Sequence, residues 1–233
     1  IQLGHAGRKG STVEPWKGGG MIEENGAWHP QAPSAVPYLK GWPAPDPMKN
    51  DDLCRVKKAF VEATLHADRA GFDTIQIHMA HGYLLHQFLS PITNRRSDQY
   101  GGDLNSRMRY PLEIFEAVRA AFPSEKPVMV RLSATDWIEG GWDIEQSIEF
   151  CRALKKLGCD MVDVSSGGLD QAQKIITGPG YQTDLSQRIR SESGIATMTV
   201  GQITDPIQAE TILRTDQADM VALARGMLWD PRW

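Results

Sequence analysis

The chain has 233 residues, 41% hydrophobic and 23% charged, which is enough for one large α/β domain with a substantial core. Its 25 basic and 29 acidic residues leave a formal net charge of -4 and no basic stripe, which argues against a nucleic-acid partner. No apolar run approaches the roughly 18 residues of a membrane span; Cys54, Cys151 and Cys159 form no Cys-x-x-Cys pair and read as reduced thiols of a cytoplasmic protein.

Ile1-Gln2-Leu3 reads as the end of a buried strand with no initiator Met or signal peptide before it, so an interior piece of a longer protein is expected. Residues 10–49 are rich in Gly, Pro and Trp, with Gly18-Gly19-Gly20, Trp16, Trp28 and Trp42, and read as a lid or hairpin over the mouth of the fold. Apolar periodicity predicts helices over Leu53 to Ala70, Asn105 to Phe122, Ile144 to Leu157 and Pro206 to Leu213. Strands are expected at Thr74 to Ile77, Val128 to Leu132, around Val162 and Val164, at Thr197 to Val200 and at Val221. Gly71 and Gly158 stand where helix C-termini favour a left-handed residue. Leu84 to Asp103 reads as a second long loop, with a polar centre at Asn94 to Asp98 and a tight turn at Tyr100-Gly101-Gly102.

Strand ends at Arg131, Ser165, Val200 and Ala224 recur after 34, 35 and 24 residues. Repeated β-loop-α units at this spacing give a barrel or a doubly wound sheet. Gly178-Pro179-Gly180 does not open a helix in a Gly-x-Gly-x-x-Gly frame, which weakens the second option. Polar residues at strand ends (Gln2, His78, Arg131, Ser165, Arg225) favour a (β/α)8 TIM barrel, whose active sites gather on that face. Six of the eight strands are expected in a single domain spanning 1–233.

The chemistry concentrates at His78-Met79-Ala80-His81-Gly82-Tyr83, directly after an apolar strand. Two neutral imidazoles suit a carbonyl oxygen that gains negative charge, and a nearby phenol adds a proton donor. Two plainer readings compete. One is a zinc half-site, for which no HExxH or Cys pair supplies further ligands, so no metal is expected; the other is a pair of merely hydrogen-bonded histidines. Schiff-base chemistry would want a Lys at a strand end, and the candidate, Lys9, lies beyond its strand.

Taken together, Ile1-Gln2-Leu3-Gly4-His5-Ala6-Gly7-Arg8-Lys9, His78-x-x-His81-Gly82-Tyr83-Leu84, Phe88-Leu89-Ser90-Pro91, Asn94-x-Arg96-x-Asp98-x-Tyr100-Gly101-Gly102, Asn105-x-Arg107 and Ala224-Arg225 resemble the old yellow enzyme family along the whole chain. The His/His pair resembles its thermophilic-like, xenobiotic-reductase branch. The resemblance implies a TIM-barrel FMN enzyme that takes electrons from NAD(P)H and reduces activated alkenes such as enones. It implies that Gln2 faces the flavin pyrimidine edge and Arg131 lies beside flavin N1 and O2. The FMN phosphate would sit between Gly201 and Ala224-Arg225, with Ser165, Ser166 and Gly167 adding backbone N–H donors. His78 and His81 would hold the substrate oxygen, and Tyr83 would deliver a proton. The likeness starts at the family's third strand. The flavin contacts of the first two strands, and a C-terminal tail that often reaches a neighbouring subunit in a homo-oligomer, are not among these residues. Gly4 stands where relatives commonly have Ala, a change expected to be minor. A dienoyl-CoA reductase or amine dehydrogenase on the same barrel, a non-flavin barrel enzyme and a non-catalytic barrel are the alternatives.

Overall fold

The computed structural model describes residues 1–22 and 26–233. Six strands form one parallel sheet: β1 (Gln2–Leu3), β4 (Ile75–Met79), β5 (Val128–Ser133), β6 (Met161–Ser165), β7 (Ala196–Thr199) and β8 (Met220–Val221), hydrogen-bonded in that order. A further parallel pair, β2 (Gln31–Ala32) and β3 (Asp46–Pro47), stands apart within the segment 10–49. The six expected barrel strands are thus present. β1 and β8 are not joined to each other, so the sheet formed by the described residues is an open arc.

Helices α1 (Asn50–Arg69), α3 (Leu104–Ala121), α4 (Ile144–Lys156), α5 (Thr183–Ser193) and α6 (Pro206–Arg214) alternate with the strands, with short helices α2 (Leu84–Leu89) and α7 (Arg225–Trp229) after β4 and β8. Residue type explains their ends. Asp103, Asp143 and Asp205 cap α3, α4 and α6 by accepting from the backbone N–H of Ser106, Gln146 and Ile207. After α1, the Phe72 N–H reaches Ala67 O and the Gly71 N–H reaches Asp68 O; after α4, Cys159 and Gly158 repeat the pattern on Leu154 and Lys155. This is the paired closure in which a left-handed Gly satisfies the last carbonyls, as the sequence led us to expect.

Side chains alternate across the strands. Ile75, Ile77, Met79, Val128, Val130, Leu132, Val162 and Val164 are fully buried and join one apolar cluster with Phe60, Ile114, Phe115, Ile148 and Leu154 from the helices. The other face carries Gln76 and His78, Arg131 and Ser133, Asp163 and Ser165. Register places His78 beside Arg131, Arg131 beside Asp163, and Ser133 beside Ser165.

Several elements differ from expectation. Ile1 is 44% exposed and Gln2 is exposed, so the leading strand is an open edge here and not a buried one. β4 continues to Met79, which puts His78 inside the strand. The loop expected from Leu84 opens with α2, every residue of which is buried. Helix α5 was not foreseen. In the segment 10–49, Thr12 and Met21 form an antiparallel bridge, while residues 23–25 lie outside the described residues. The segment is fastened by Arg8, which donates to Val36 O and Pro37 O, and by Arg96, which donates to Pro33 O and Met48 O. Among the described residues no helix is long and apolar enough to cross a membrane.

Candidate active site

Beyond β4 the chain reverses at Ala80 to Tyr83, with the Tyr83 N–H on Ala80 O at 3.2 Å. His81 is left-handed at φ +57°, a conformation that costs a non-Gly residue about 1–3 kcal/mol unless its surroundings impose it. They do. The His81 N–H donates to Ser133 Oγ at 2.9 Å, and Lys9 Nζ donates to His81 O at 2.7 Å and to Gly168 O at 2.5 Å. Gly82 follows at φ +71°, pressed so closely on the neighbouring loop that an added Cβ would lie 2.4 Å from Gly168 O.

A buried network holds the turn from below. Gly82 N–H donates to His86 Nδ1 at 2.9 Å, so that nitrogen carries no proton and His86 Nε2–H faces Asp136 Oδ1 at 2.8 Å. Asp136 Oδ2 accepts from Ser90 Oγ at 2.6 Å and from the Trp142 N–H at 2.7 Å, and His86 and Asp136 are both fully buried. Gln87 Nε2 adds a bond to Gly82 O at 2.7 Å.

The outcome is that three rings converge. His78 lies 5.2 Å from His81 and 5.0 Å from Tyr83, centroid to centroid. Burial first, and the Arg131 charge second, draw the pKa of His78 down to about 4 and that of His81 to about 3, so both rings are neutral near pH 7 and each offers one N–H. His81 Nε2 is 2.7 Å from Ser165 Oγ, so a ligand oxygen would have to displace the serine there. His78 Nδ1 is buried with no partner among the described residues. Gly4 lies directly against this ring's root: an added Cβ would come within 3.2 Å of His78 Cβ, a tighter fit than a minor change implies.

Lys9, weighed from sequence only as a Schiff-base candidate, is part of this site. Its ammonium sits 4.6 Å from the Tyr38 ring and 5.5 Å from the Tyr83 ring, and burial, reinforced by Arg8, lowers its pKa to about 8.

Beside the rings a cavity of about 1000 Å³ is lined by Arg131, Ser165, Tyr181, Gln182, Gly201, Ala224 and Arg225 among others. Arg131 turns a 28% exposed side chain toward it, with Nε 3.2 Å from Asp163 Oδ2. Arg225, also in that lining, is exposed. Neighbouring groups engage several of the remaining expected residues. Gln2 Nε2 is committed to Gln76 Oε1 at 2.5 Å, leaving its carbonyl oxygen as the free end of the amide. Ser166 Oγ donates to Gln182 Oε1 at 2.5 Å. The Gly167 N–H, expected as an anion donor, is bonded to Thr135 O at 2.8 Å, so it has no hydrogen left for a phosphate. Gln182, which sequence reading missed, is 2% exposed and joins Ser166 to the Val200 carbonyl at 2.6 Å. A lone Gln carries no motif, so nothing in the sequence marks it.

Residues 1–233 match the family model described as the NADH:flavin oxidoreductase / NADH oxidase family. The chain is 41% identical over 250 residues to an NADH:flavin oxidoreductase of Gibberella zeae, covering 99% of this chain and 60% of that relative. It is 43% identical over 233 residues to an NADPH dehydrogenase of Geobacillus sp. (strain WCH70), covering 100% of this chain and 64% of the relative. Among solved structures it resembles an old yellow enzyme homologue from Zymomonas mobilis (27% identity, TM-score 0.78, 99% of this chain and 64% of that one). It also resembles a histamine dehydrogenase from Rhizobium sp. 4-9 (27% identity, TM-score 0.83, 99% and 33%). The chain therefore spans about 60–64% of the length of these two curated relatives. With the family model matched from first residue to last, the chain belongs to the NADH:flavin oxidoreductase / NADH oxidase family.

Proposed function

We propose that the chain is the substrate-binding part of an FMN-dependent NAD(P)H oxidoreductase that reduces activated C=C bonds of enones or related electrophiles. The observation that carries this reading is the convergence of two neutral imidazoles and a phenol beside a cavity that holds an arginine fork. FMN, when bound, supplies the hydride acceptor and donor that couples NAD(P)H oxidation to alkene reduction. The fit is supported by the buried Arg131 Nε, which lacks a hydrogen-bond partner among the described residues and belongs to a residue lining the cavity, and by the exposed Arg225, which lines it too.

In this reading Arg131 holds a positive charge at the flavin's pyrimidine side, and Gln2 offers its carbonyl oxygen to a ring N–H. Arg225 offers a two-pronged contact for phosphate. His78 and His81 hold the substrate carbonyl or nitro oxygen through N–H donors, which withdraws electrons from the conjugated double bond. His81 reaches that oxygen by exchanging its contact with Ser165. Tyr83, half-buried beside His78, gives a proton to the α-carbon. Segment 10–49, tied to the site through Arg8, Lys9 and Tyr38, serves as the lid.

The likeness to a histamine dehydrogenase raises an amine-oxidising reading on the same fold. Identities of 41–43% to NADH:flavin and NADPH enzymes, against 27% to that dehydrogenase, favour the NAD(P)H-linked reading. Stopped-flow measurement of the two half-reactions tests the roles. Tyr83→Phe is expected to leave flavin reduction by NAD(P)H nearly intact and slow reoxidation by an enone about 10²–10⁴-fold, the usual effect of losing a general acid. Equal slowing of both would make Tyr83 a wall of the pocket and not the acid.

A further inference from the structure

Three of the buried polar atoms that lack a partner lie in one lateral row across adjacent strands: His78 Nδ1 on β4, Arg131 Nε on β5 and Asp163 Oδ1 on β6. Asp163 is 4% exposed, an unusual place for a carboxylate unless it answers a charge. The charge it faces is Arg131, whose Nε is 3.2 Å from Asp163 Oδ2 without the alignment of a hydrogen bond. The same oxygen accepts from Gln76 Nε2 at 3.2 Å, and Gln76 Oε1 accepts from Gln2. This polar chain links four residues of the inner face, and two of them, Gln2 and Arg131, are those assigned to the flavin.

The pair is lopsided. Arg131 is partly open to the cavity, whereas Asp163 is walled in behind it. A ligand in the cavity therefore meets the guanidinium first, with a negative charge fixed directly behind. Another cation of the site, Lys9, is occupied by the carbonyls of His81 and Gly168. Burial raises the pKa of Asp163, while Arg131 and the Gln76 amide oppose that rise and keep the ionised form accessible.

We propose that Asp163 is a positioning residue for Arg131 that sets how much positive charge the cavity presents to the flavin, and so holds the flavin's reduction potential down. The inference rests on the FMN reading above. Reduction adds negative charge to the cofactor, which Arg131 favours and Asp163 disfavours. Removing the carboxylate's charge is expected to raise the affinity for reduced relative to oxidised FMN about tenfold, the order expected when a unit charge near a protein surface loses its counter-charge. For a two-electron couple a tenfold ratio is about 30 mV.

The test is a spectroelectrochemical titration of the FMN-loaded protein, with FMN affinity measured in parallel by fluorescence quenching. D163N and the smaller D163S are expected to shift the potential upward by the same tenfold ratio, D163E to restore the parent value, and Gln76→Leu, which removes a hydrogen bond but no charge, to change it less than threefold. An unchanged or lowered potential in whichever neutral variant holds flavin overturns the proposal. So does loss of flavin from both neutral variants with retention in D163E, which would make Asp163 a requirement for binding and not a regulator of potential. Failure of the unmodified protein to bind FMN overturns instead the reading on which the proposal rests.

Discussion

The two imidazoles of the candidate site should make the protein sensitive to acid, and the size of the effect follows from where they sit. In the unfolded chain each would protonate near 6.5, whereas the folded site holds His78 to about 4 and His81 to about 3. The sign follows from proton counts. Above pH 6.5 neither state binds a proton at these rings, and they add no pH dependence. Below it the unfolded chain takes up protons that the folded site refuses, so stability falls as pH falls. At 1.36 kcal/mol per pH unit, the interval from 6.5 to 4 amounts to about 3 kcal/mol for each ring. Solvent reaches the open side of the site and screens part of this, so about 3–4 kcal/mol is expected for the pair. Urea unfolding followed by tryptophan fluorescence at fixed pH between 7 and 4 measures the loss. A double variant, His78→Asn with His81→Asn, should flatten the profile by that amount over the same interval. Proton NMR of the ring hydrogens gives the direct check. Rings that titrate near 6.5 in the folded protein, or a double variant with an unchanged acid slope, would refute the reasoning.

Three further expectations follow. Arg225→Ala should weaken FMN binding about 10- to 150-fold, corresponding to a charge-assisted hydrogen bond of about 1.5–3 kcal/mol, and unchanged affinity by fluorescence quenching would remove Arg225 from the phosphate site. His86→Ala leaves Asp136 and the Gly82 N–H without their shared partner and should destabilise by about 3–5 kcal/mol in chemical denaturation. His86→Gln supplies both an acceptor and a donor and should recover most of that, whereas equal losses would show that shape alone matters. Gly82→Ala should disturb the ring cluster through its contact with Gly168 O; enone binding as tight as in the parent protein would contradict that.

What could be read from the sequence was whatever is written locally. Gly71 and Gly158 mark helix ends because a left-handed residue is needed there and nothing distant competes. The strand-helix alternation was legible because Ile75, Ile77, Val162 and Val164 keep a strand's period between amphipathic stretches. Helix α2 was not, because Leu84 to Leu89 is buried on every side and so shows no helical period. Helix α5, with three buried residues among eleven, offers a faint apolar stripe. In the site, His78, His81 and Tyr83 stood out because all three fall within one run of six consecutive residues. Their supports did not: Lys9 meets Gly168 across 159 positions, His86 meets Asp136 across 50, and such pairings exist only once the sheet has formed. Gly167 shows the opposite failing, a glycine that looks like an anion donor until its N–H is traced to Thr135.

The alternation along β4, β5 and β6 has a consequence for how this protein can change. Residues 75, 77, 79, 128, 130, 132, 162 and 164 face the helices, and Gln76, His78, Arg131, Ser133, Asp163 and Ser165 face the cavity, so neighbouring positions in the chain answer to different selective demands. A substitution on the cavity side alters what is bound while leaving the apolar cluster intact, and one on the helix side does the reverse. New specificities are therefore reachable by drift at alternate codons without first passing through unstable intermediates. The exceptions are the positions where the two sides are bridged: His86, Asp136 and Gly82, whose buried bonds carry the turn into the interior. Variation there would be felt in both stability and binding at once, so these three should be the slowest of the set to diverge.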